Sequence, residues 1–307
     1  LELEITLKKE SKHIIRGGLN MLDIAIIGAG PAGLSAAING VIRNKKVIVF
    51  GRNPKSSYLY KAEKVDNYLG LPNISGPGMV EQFIKHAQAL GVEFHEGRIL
   101  EVFSMGDYYT LNVENEFYEA KTVIIATGIP KAKYIPGEKE LLGKGVSYCG
   151  TCDGPLFRGK TTMVIGEIEE AEEDVNFLQE ICSKVYFLPT YKEVKNVHPK
   201  VEIIEGTPKE ILGDSVVSAV RIDDQEIKVD GVFLIKETIP VTQLIKGLEM
   251  EDKTIKVNRR LETNFPGVFA AGDCTGRPYQ VTKAVGEGAV AALEAVSYLH
   301  RMENKNK

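Results

Sequence analysis

Residues 22–50 read LDIAIIGAGPAGLSAAINGVIRNKKVIVF: a short apolar run, a glycine turn, a helical segment and a second apolar run. The runs Ile24–Ile27 and Val47–Phe50 are rich in β-branched residues, as buried parallel strands are. In the G-x-G-x-x-G turn between them, the first glycine makes the turn, the second admits a pyrophosphate and the third packs helix on strand. A purely structural turn is the alternative. The flanking strand and helix favour a dinucleotide site formed by Gly28, Gly30, Pro31, Ala32 and Gly33.

A second strand, turn and helix begins at Thr161 and leads into another strand that ends at Leu188. Two such halves predict a doubly wound α/β architecture with two Rossmann-like domains of the dinucleotide-binding type. The chain has 307 residues, which is long enough to build both.

The second glycine turn differs from the first in its charge. Six of the nine residues from Gly166 to Asp174 are acidic, and Ile168 stands where a glycine would let a pyrophosphate approach the backbone. At an effective dielectric near 20, each carboxylate about 4 Å from a phosphate charge would cost up to about 4 kcal/mol before screening. Acidic residues also favour the helix dipole, which explains the helix but not the missing glycine. The sequence therefore predicts a dinucleotide fold that no longer binds its nucleotide.

Composition excludes several classes of function. A formal net charge of −4 gives no general attraction to nucleic acid or to an anionic membrane, and the apolar runs are interrupted by Gly and Pro, so we expect neither partner. Four cysteines are too few for a secreted disulfide scaffold, and five histidines form no spaced cluster. We therefore predict a cytoplasmic protein without a metal site. Residues 1–20 precede Met21, and we expect them to be an N-terminal extension or arm outside the fold.

The segment 148–154 reads YCGTCDG. Two cysteines three residues apart at the start of a helix can close a small disulfide, and a helix N-terminus favours the thiolate. Asp153 could give or take a proton during exchange. Two buried structural thiols or half of a metal site are the alternatives. The motif indicates redox chemistry at Cys149 and Cys152, whereas we interpret Cys182 and Cys274 as small buried apolar residues.

Several further segments follow in a characteristic order along residues 22–302: GAGPAG, NYLG, IATG, CGTCDG, PGVFAAGD, YQV and a helix rich in Gly and Ala. In this order they resemble the low-molecular-weight thioredoxin reductases, which are homodimeric flavoprotein disulfide reductases. The resemblance implies the FAD/NAD(P)-disulfide reductase fold. Its FAD domain would be discontinuous, formed by residues 21–130 and 241–303, with an inserted redox-disulfide domain at 131–240 and a tail at 304–307.

The same resemblance implies roles for individual residues. Cys152 would lie nearest the flavin as the charge-transfer thiolate, Cys149 would attack the disulfide of thioredoxin, and Asp153 would be the general acid. Besides the first glycine turn, the expected FAD contacts are Asn67, Ala126, Thr127, Gly128, Asp273, Gln280 and Val281.

The sequence departs from ordinary members of this family where NADPH would bind. Thr190–Glu193 replaces a basic cluster, and Lys236-Glu237 replaces an Ile-Gly pair, in addition to the acidic turn. Together these changes resemble the ferredoxin-dependent branch, which uses no pyridine nucleotide. The resulting hypothesis is that electrons pass from reduced ferredoxin to FAD, then to Cys149–Cys152, and finally to thioredoxin.

Three alternatives remain open at this point. The chain could be a conventional NAD(P)H-dependent thioredoxin reductase with an unusual pocket, or a dithiol oxidase that passes electrons to oxygen. It could also be a non-catalytic redox sensor whose cysteine pair switches a partner interface.

Overall fold

A computed structural model describes residues 21–51, 54, 57–114, 116–129, 134–236 and 240–305. The predicted arm 1–20 and Glu237 lie outside the described residues, and the predicted tail 304–307 is described only to residue 305. The chain divides into two compact units. The first contains the described residues up to 129 and from 240 onward, and the second contains those between 134 and 236.

The chain begins in the first unit. Its elements there are β1 (Leu22–Ile27), α1 (Pro31–Val41), β2 (Val47–Phe50), α2 (Gly76–Ala89), β3 (Glu93–His95), β4 (Ile99–Ser104), β5 (Tyr109–Val113) and β6 (Glu116–Ile125). The second unit follows with β7 (Val146–Ser147), α3 (Gly150–Asp153), β8 (Thr161–Gly166), α4 (Ala171–Ile181), β9 (Lys184–Pro189), β10 (Glu202–Ile203), β11 (Pro208–Leu212), β12 (Ala219–Ile222), β13 (Gln225–Lys228) and β14 (Gly231–Ile235). The return to the first unit supplies α5 (Val241–Leu244), β15 (Met250–Glu251), β16 (Thr254–Ile255), β17 (Val268–Ala270) and α6 (Val281–Lys305).

The main sheet of the first unit has the strand order β3-β2-β1-β6-β5-β4, and β17 also pairs with β6. Strands β3, β2, β1, β6 and β17 pair in parallel, whereas β4 and β5 are antiparallel additions. Ile24 and Ile26 pack in the core on one face of β1, and Ala25 and Ile27 pack in the core on the other. Because both faces are buried, the strand is apolar throughout its length rather than alternating. The parallel register brings the carboxyl ends of β1, β6 and β17 to one edge, where such sheets bind ligands.

The second unit has a parallel sheet with the order β10-β9-β8-β14-β7 and a separate antiparallel sheet, β11-β12-β13. Helix α4 covers one face of the parallel sheet, with Ala171, Val175 and Leu178 buried in its core. Met163 and Ile165, on the other face of β8, pack in a second core with residues of β12. Strand β8, helix α4 and strand β9 therefore form a parallel β-α-β unit, as in a Rossmann-like half.

The predicted α/β architecture is therefore confirmed, with two Rossmann-like halves of which the first is discontinuous. The assignment of these halves to an FAD domain and an inserted redox domain stays a prediction. No helix among the described residues is long and apolar enough to cross a membrane.

Candidate active site

The redox candidate is a closed disulfide at the start of α3. Cys149 and Cys152 are joined, with their Cα atoms 5.3 Å apart. Cys149 occupies the N-cap position, and its Sγ accepts a hydrogen bond from the Cys152 backbone N–H at 3.1 Å. Cys149 is buried and Cys152 is exposed. The two cysteines of the motif thus form a disulfide within one turn, which thiol–disulfide exchange can open and restore.

Ser147 holds Asp153 beside this turn. The Ser147 hydroxyl donates to Asp153 Oδ2 at 2.7 Å and accepts from the Cys149 backbone N–H at 3.1 Å. Asp153 is exposed, so its carboxylate is in contact with solvent. The structure therefore brings Cys149, Cys152 and Asp153 together, and it adds Ser147, which sequence reasoning missed.

Helix α4 contributes two buried carboxylates that sequence reasoning did not separate from the exposed ones. Asp174 Oδ1 accepts from the Thr151 backbone N–H at 3.2 Å. Glu172 accepts from the Tyr191 hydroxyl at 2.7 Å and from the backbone N–H groups of Lys195 and Asn196 at 3.0 and 2.6 Å. The helical period could have separated these two residues from the exposed acidic ones, since both lie on the same face of α4 as its buried apolar residues.

We expect Glu172→Gln to destabilise the protein by about 1–2 kcal/mol at neutral pH, because Gln loses the charge that strengthens three hydrogen bonds. Burial alone would raise the pKa of Glu172, but the hydrogen bonds from Tyr191, Lys195 and Asn196 and the charge of Lys195 lower it. A lowered folded-state pKa means that this stability is complete above the ordinary glutamate pKa of about 4.3 and is lost as the pH falls through the folded value.

Urea unfolding of the wild type and Glu172→Gln at several pH values tests this expectation. The difference between the two proteins should shrink as the pH falls below about 4. Glu173→Gln is the matched control, because Glu173 is the exposed neighbour on the same helix. A difference that is independent of pH would contradict the assignment.

A second buried cluster lies at the residue before Cys149. Lys236 Nζ donates to both carboxylate oxygens of Glu138 at 2.8 Å, and the Tyr148 hydroxyl donates to Glu138 Oε1 at 2.6 Å. Glu138 is fully buried and Lys236 is 3 % exposed. Burial and the neighbouring Glu138 raise the pKa of Tyr148, so its hydroxyl stays protonated as a donor. Lys236, which sequence reasoning marked only as a departure, is therefore one half of a buried ion pair at the end of β14.

The glycine turn of the first unit has the geometry of a phosphate cradle. Gly28 has φ +115°, and a Cβ there would lie 2.3 Å from the Ala126 carbonyl oxygen. A Cβ on Gly33 would lie 1.8 Å from the Gly28 oxygen, whereas one on Gly30 would meet nothing within 4 Å. The first and third glycines are thus required by packing, and the second faces open space where a pyrophosphate fits.

Other predicted cofactor residues lie at the same edge of the sheet. Ala126 and Thr127 directly follow β6, and Thr127 Oγ1 is buried without a hydrogen-bond partner among the described residues. A buried hydroxyl in this condition is costly, and a ligand atom would satisfy it. Gly128 continues the turn with φ +71°. The residues present therefore fit a dinucleotide such as FAD.

Asp273 follows β17 and begins a short 3-10 turn, Asp273–Thr275. A Cβ on the preceding Gly272 would lie 2.9 Å from the Cβ of Ala32, which places Asp273 next to the start of α1. Burial raises the pKa of Asp273, and the charge of Lys283 opposes this effect. A half-buried carboxylate at this edge is suited to accept hydrogen bonds from ligand hydroxyls.

Asn67 and Gln280 meet although they are 213 residues apart in sequence. Asn67 Nδ2 donates to Gln280 Oε1 at 2.9 Å, and Val281 is the first residue of α6. The structure thus joins two of the residues that the motif order assigned to one flavin site. Their contact with FAD stays a prediction.

The remaining cysteines are separate from this chemistry. Cys274 is buried, and burial raises its thiol pKa to about 12. Cys182 is only half-buried, with its Sγ 3.4 Å from the Phe157 carbonyl oxygen. No group of three or more His, Cys, Asp or Glu side chains within the described part of the chain could hold a metal ion.

Comparison with known proteins places this geometry in context. The family model described as pyridine nucleotide-disulphide oxidoreductase matches residues 22–168 and 184–288. A thioredoxin reductase of Bacillus subtilis is 33% identical over 306 residues, covering 93% of this chain and 97% of the relative.

Solved structures extend the comparison. A ferredoxin-flavin thioredoxin reductase from Clostridium acetobutylicum is 45% identical with a TM-score of 0.86, covering 92% of this chain and 99% of that one. A thioredoxin reductase from Gloeobacter violaceus is 28% identical with a TM-score of 0.73, covering 92% of this chain and 95% of that one.

Proposed function

The chain belongs to the pyridine nucleotide-disulphide oxidoreductase family and, within it, to the thioredoxin reductases. We propose that reduced ferredoxin, not NADPH, supplies its electrons. In this proposal the chain binds FAD and reduces the disulfide of thioredoxin through Cys149 and Cys152. It works as a homodimer in the cytoplasm.

The charge on the second glycine turn is the observation that carries the choice of donor. Glu167, Glu169 and Glu170 are exposed at the end of β8, where a Rossmann-like fold receives its nucleotide. Lys195 pairs with Glu169 at 3.1 Å, but both side chains are more than half exposed, so this pair is weak. A pyrophosphate at this edge would meet several carboxylates and no compensating basic cluster at Thr190–Glu193.

The structure corrects one part of the sequence reasoning at this turn. Because Ile168 replaces the glycine that would let a pyrophosphate approach the backbone, the sequence predicts that its branched side chain obstructs the site. Instead, the side chain is 9 % exposed and packs in the core beneath α4. Repulsion by charge, rather than obstruction by the Ile168 side chain, therefore opposes NADPH binding at this turn.

The end of β14 supports the same proposal. In ordinary relatives the resemblance puts an Ile-Gly pair near the nicotinamide nucleotide, and here Lys236 stands in its place. The buried ammonium group of Lys236 donates two hydrogen bonds to Glu138, so it cannot also bind the phosphate of a nucleotide.

The residues of the chain then have defined tasks. FAD, when bound, can collect electrons singly and deliver them in pairs. Gly28–Gly33 and Thr127 would hold it, and Asp273 would accept hydrogen bonds from its hydroxyl-bearing chain. Two electrons and two protons convert Cys149–Cys152 to two thiols. Cys149 attacks the thioredoxin disulfide, and Cys152 then attacks Cys149, which releases reduced thioredoxin and restores the disulfide.

Asp153 is suited to manage the protons of this exchange. Ser147 fixes its carboxylate beside the turn, and its exposure connects it to solvent. It can protonate the thiolate that leaves when the intramolecular disulfide opens, and it can take the proton back when Cys152 resolves the mixed disulfide.

Anaerobic turnover with purified protein loaded with FAD tests the donor. Reduced bacterial ferredoxin should yield reduced thioredoxin, whereas NADPH and NADH should neither bleach the flavin in stopped flow nor reduce thioredoxin. A thioredoxin reductase of established NADPH dependence, assayed alongside with NADPH, is the control for the assay. Rapid flavin bleaching by either nicotinamide nucleotide would contradict the proposal.

The same preparation separates the other candidates. Peroxide formed in air from a small dithiol would indicate a dithiol oxidase. Absence of reduced thioredoxin with every donor would favour a redox sensor.

A further inference from the structure

Helix α4 touches the redox turn through one side chain. Asp174 lies in the first turn of α4 and is 7 % exposed. Its Oδ1 accepts the Thr151 backbone N–H at 3.2 Å, and a Cβ on Gly150 would lie 2.6 Å from that oxygen. The carboxylate therefore packs against both residues that separate Cys149 from Cys152. Neither the redox chemistry nor the lost nucleotide site accounts for this contact.

The contact affects the groups that can stabilise a thiolate. The first N–H groups of a helix have no partner within the helix and can stabilise a nearby negative sulfur. Cys149 Sγ already receives the Cys152 N–H at 3.1 Å and lies 3.4 Å from Thr151 Oγ1. Because the Thr151 N–H donates to Asp174, it is not directed at a sulfur of the pair. Asp174 also adds a carboxylate beside the pair, which disfavours a second negative charge there.

Two other charged side chains also lie close to this turn. Asp153 is a further carboxylate on the turn itself, held by Ser147. Lys236, near Tyr148, is neutralised by Glu138 with which it shares two hydrogen bonds. The pair thus has one carboxylate on the turn itself, at Asp153, and a second one in contact with the turn from α4, at Asp174.

We propose that Asp174 is a positioning residue that makes Cys149–Cys152 a stronger reductant than the same turn would be without it. The inference rests on the redox activity in the proposed function and does not depend on the electron donor. The sign follows from the reduced state, which is stabilised when its thiolate is stabilised. A pair with a stabilised reduced form is oxidising, so an adjacent carboxylate shifts the pair in the reducing direction.

Asp174→Asn tests the charge separately from the hydrogen bond, because the Asn side-chain oxygen can still accept from Thr151. The variant is equilibrated anaerobically with defined mixtures of reduced and oxidised glutathione. In this reaction two glutathione thiols become one glutathione disulfide while Cys149–Cys152 opens to two thiols. We expect the equilibrium to shift about tenfold toward the reduced pair, equivalent to about 30 mV for a two-electron couple.

Two further measurements distinguish tuning from a merely structural role. Glu173→Gln removes one negative charge from the exposed face of the same helix, and its equilibrium should stay within about twofold of the wild type because exposed charges are screened. Ultraviolet thiolate absorbance of reduced Asp174→Asn should rise at a lower pH than in the wild type, whereas Asp174→Glu, which keeps the charge, should remain close to the wild type.

The proposal is overturned if Asp174→Asn stays within about twofold of the wild type or if Glu173→Gln shifts equally. Should Asp174→Asn not fold, Gly150→Ala tests the same contact, since the added Cβ displaces the carboxylate and should shift the equilibrium in the same direction. The proposed function fails separately, through a wild-type pair that does not open at all in glutathione or a wild-type protein that does not reduce thioredoxin.

Discussion

Replacing either Cys149 or Cys152 by serine is expected to lower thioredoxin reduction by a factor of about 10³ or more, because the two sulfurs act as one unit and neither completes a cycle alone. The flavin should still be reduced by ferredoxin in both variants, since the cofactor residues lie in the other unit of the chain. Steady-state turnover with reduced ferredoxin, and anaerobic flavin absorbance, measure the two effects separately.

The matched control is Cys182→Ser. Cys182 is half-buried in the same unit, and it lies outside the disulfide. Its replacement should leave turnover within about twofold of the wild type, as expected for a cysteine that acts only as a small packing residue. Substantial turnover in either variant of the redox pair, or its loss in Cys182→Ser, would refute the assignment of the disulfide.

Trapping experiments assign the two sulfurs. In Cys152→Ser the remaining Cys149 should form a stable mixed disulfide with a thioredoxin variant that lacks its resolving cysteine, and Cys149→Ser should not. The oxidised turn buries Cys149 and exposes Cys152, so Cys149 must become accessible after reduction. A mixed disulfide formed only by Cys149→Ser would reverse the two roles.

Local patterns in the sequence were sufficient to predict the architecture. The turn after Ile24–Ile27 requires glycine at positions 28 and 33, because a Cβ at either position would clash with backbone atoms. These contacts lie within one strand–turn–helix unit and the neighbouring strand. The cysteine pair is equally local, because its two members are three residues apart. Features of this kind can be recognised without any knowledge of tertiary contacts.

The contacts around the redox turn could not be predicted in this way. Lys236 and Glu138 are 98 residues apart, and nothing in either local sequence indicates that they meet. The acidic segment of α4 shows a different difficulty. Its charge was evident, and the helical period could have separated Glu172 and Asp174 from the exposed acidic residues, but only the tertiary structure shows which groups donate hydrogen bonds to them. The charge composition predicted a site that repels phosphate, but it did not indicate that two of its carboxylates are structural hydrogen-bond acceptors.

The second large effect is expected at the buried ion pair. Lys236→Met should lower the free energy of unfolding by about 3–5 kcal/mol, because it leaves the fully buried Glu138 without its positive partner. The Tyr148 hydroxyl and the Ile135 backbone N–H would still donate to that carboxylate, but neither carries a compensating charge. Urea unfolding of the oxidised protein, with the disulfide intact in every variant, measures the loss.

The double variant Glu138→Met with Lys236→Met distinguishes a broken pair from a loss of packing. Removing both charges eliminates the unpaired carboxylate, so the double variant should recover much of the stability that Lys236→Met loses. Lys184→Met is the matched control, since Lys184 forms an ion pair of similar length with Glu202 in the same unit, but with both side chains about half exposed. It should change the unfolding curve little, because exposed pairs contribute little. A Lys236→Met unfolding curve that coincides with the Lys184→Met curve would show that the buried pair does not stabilise the folded protein.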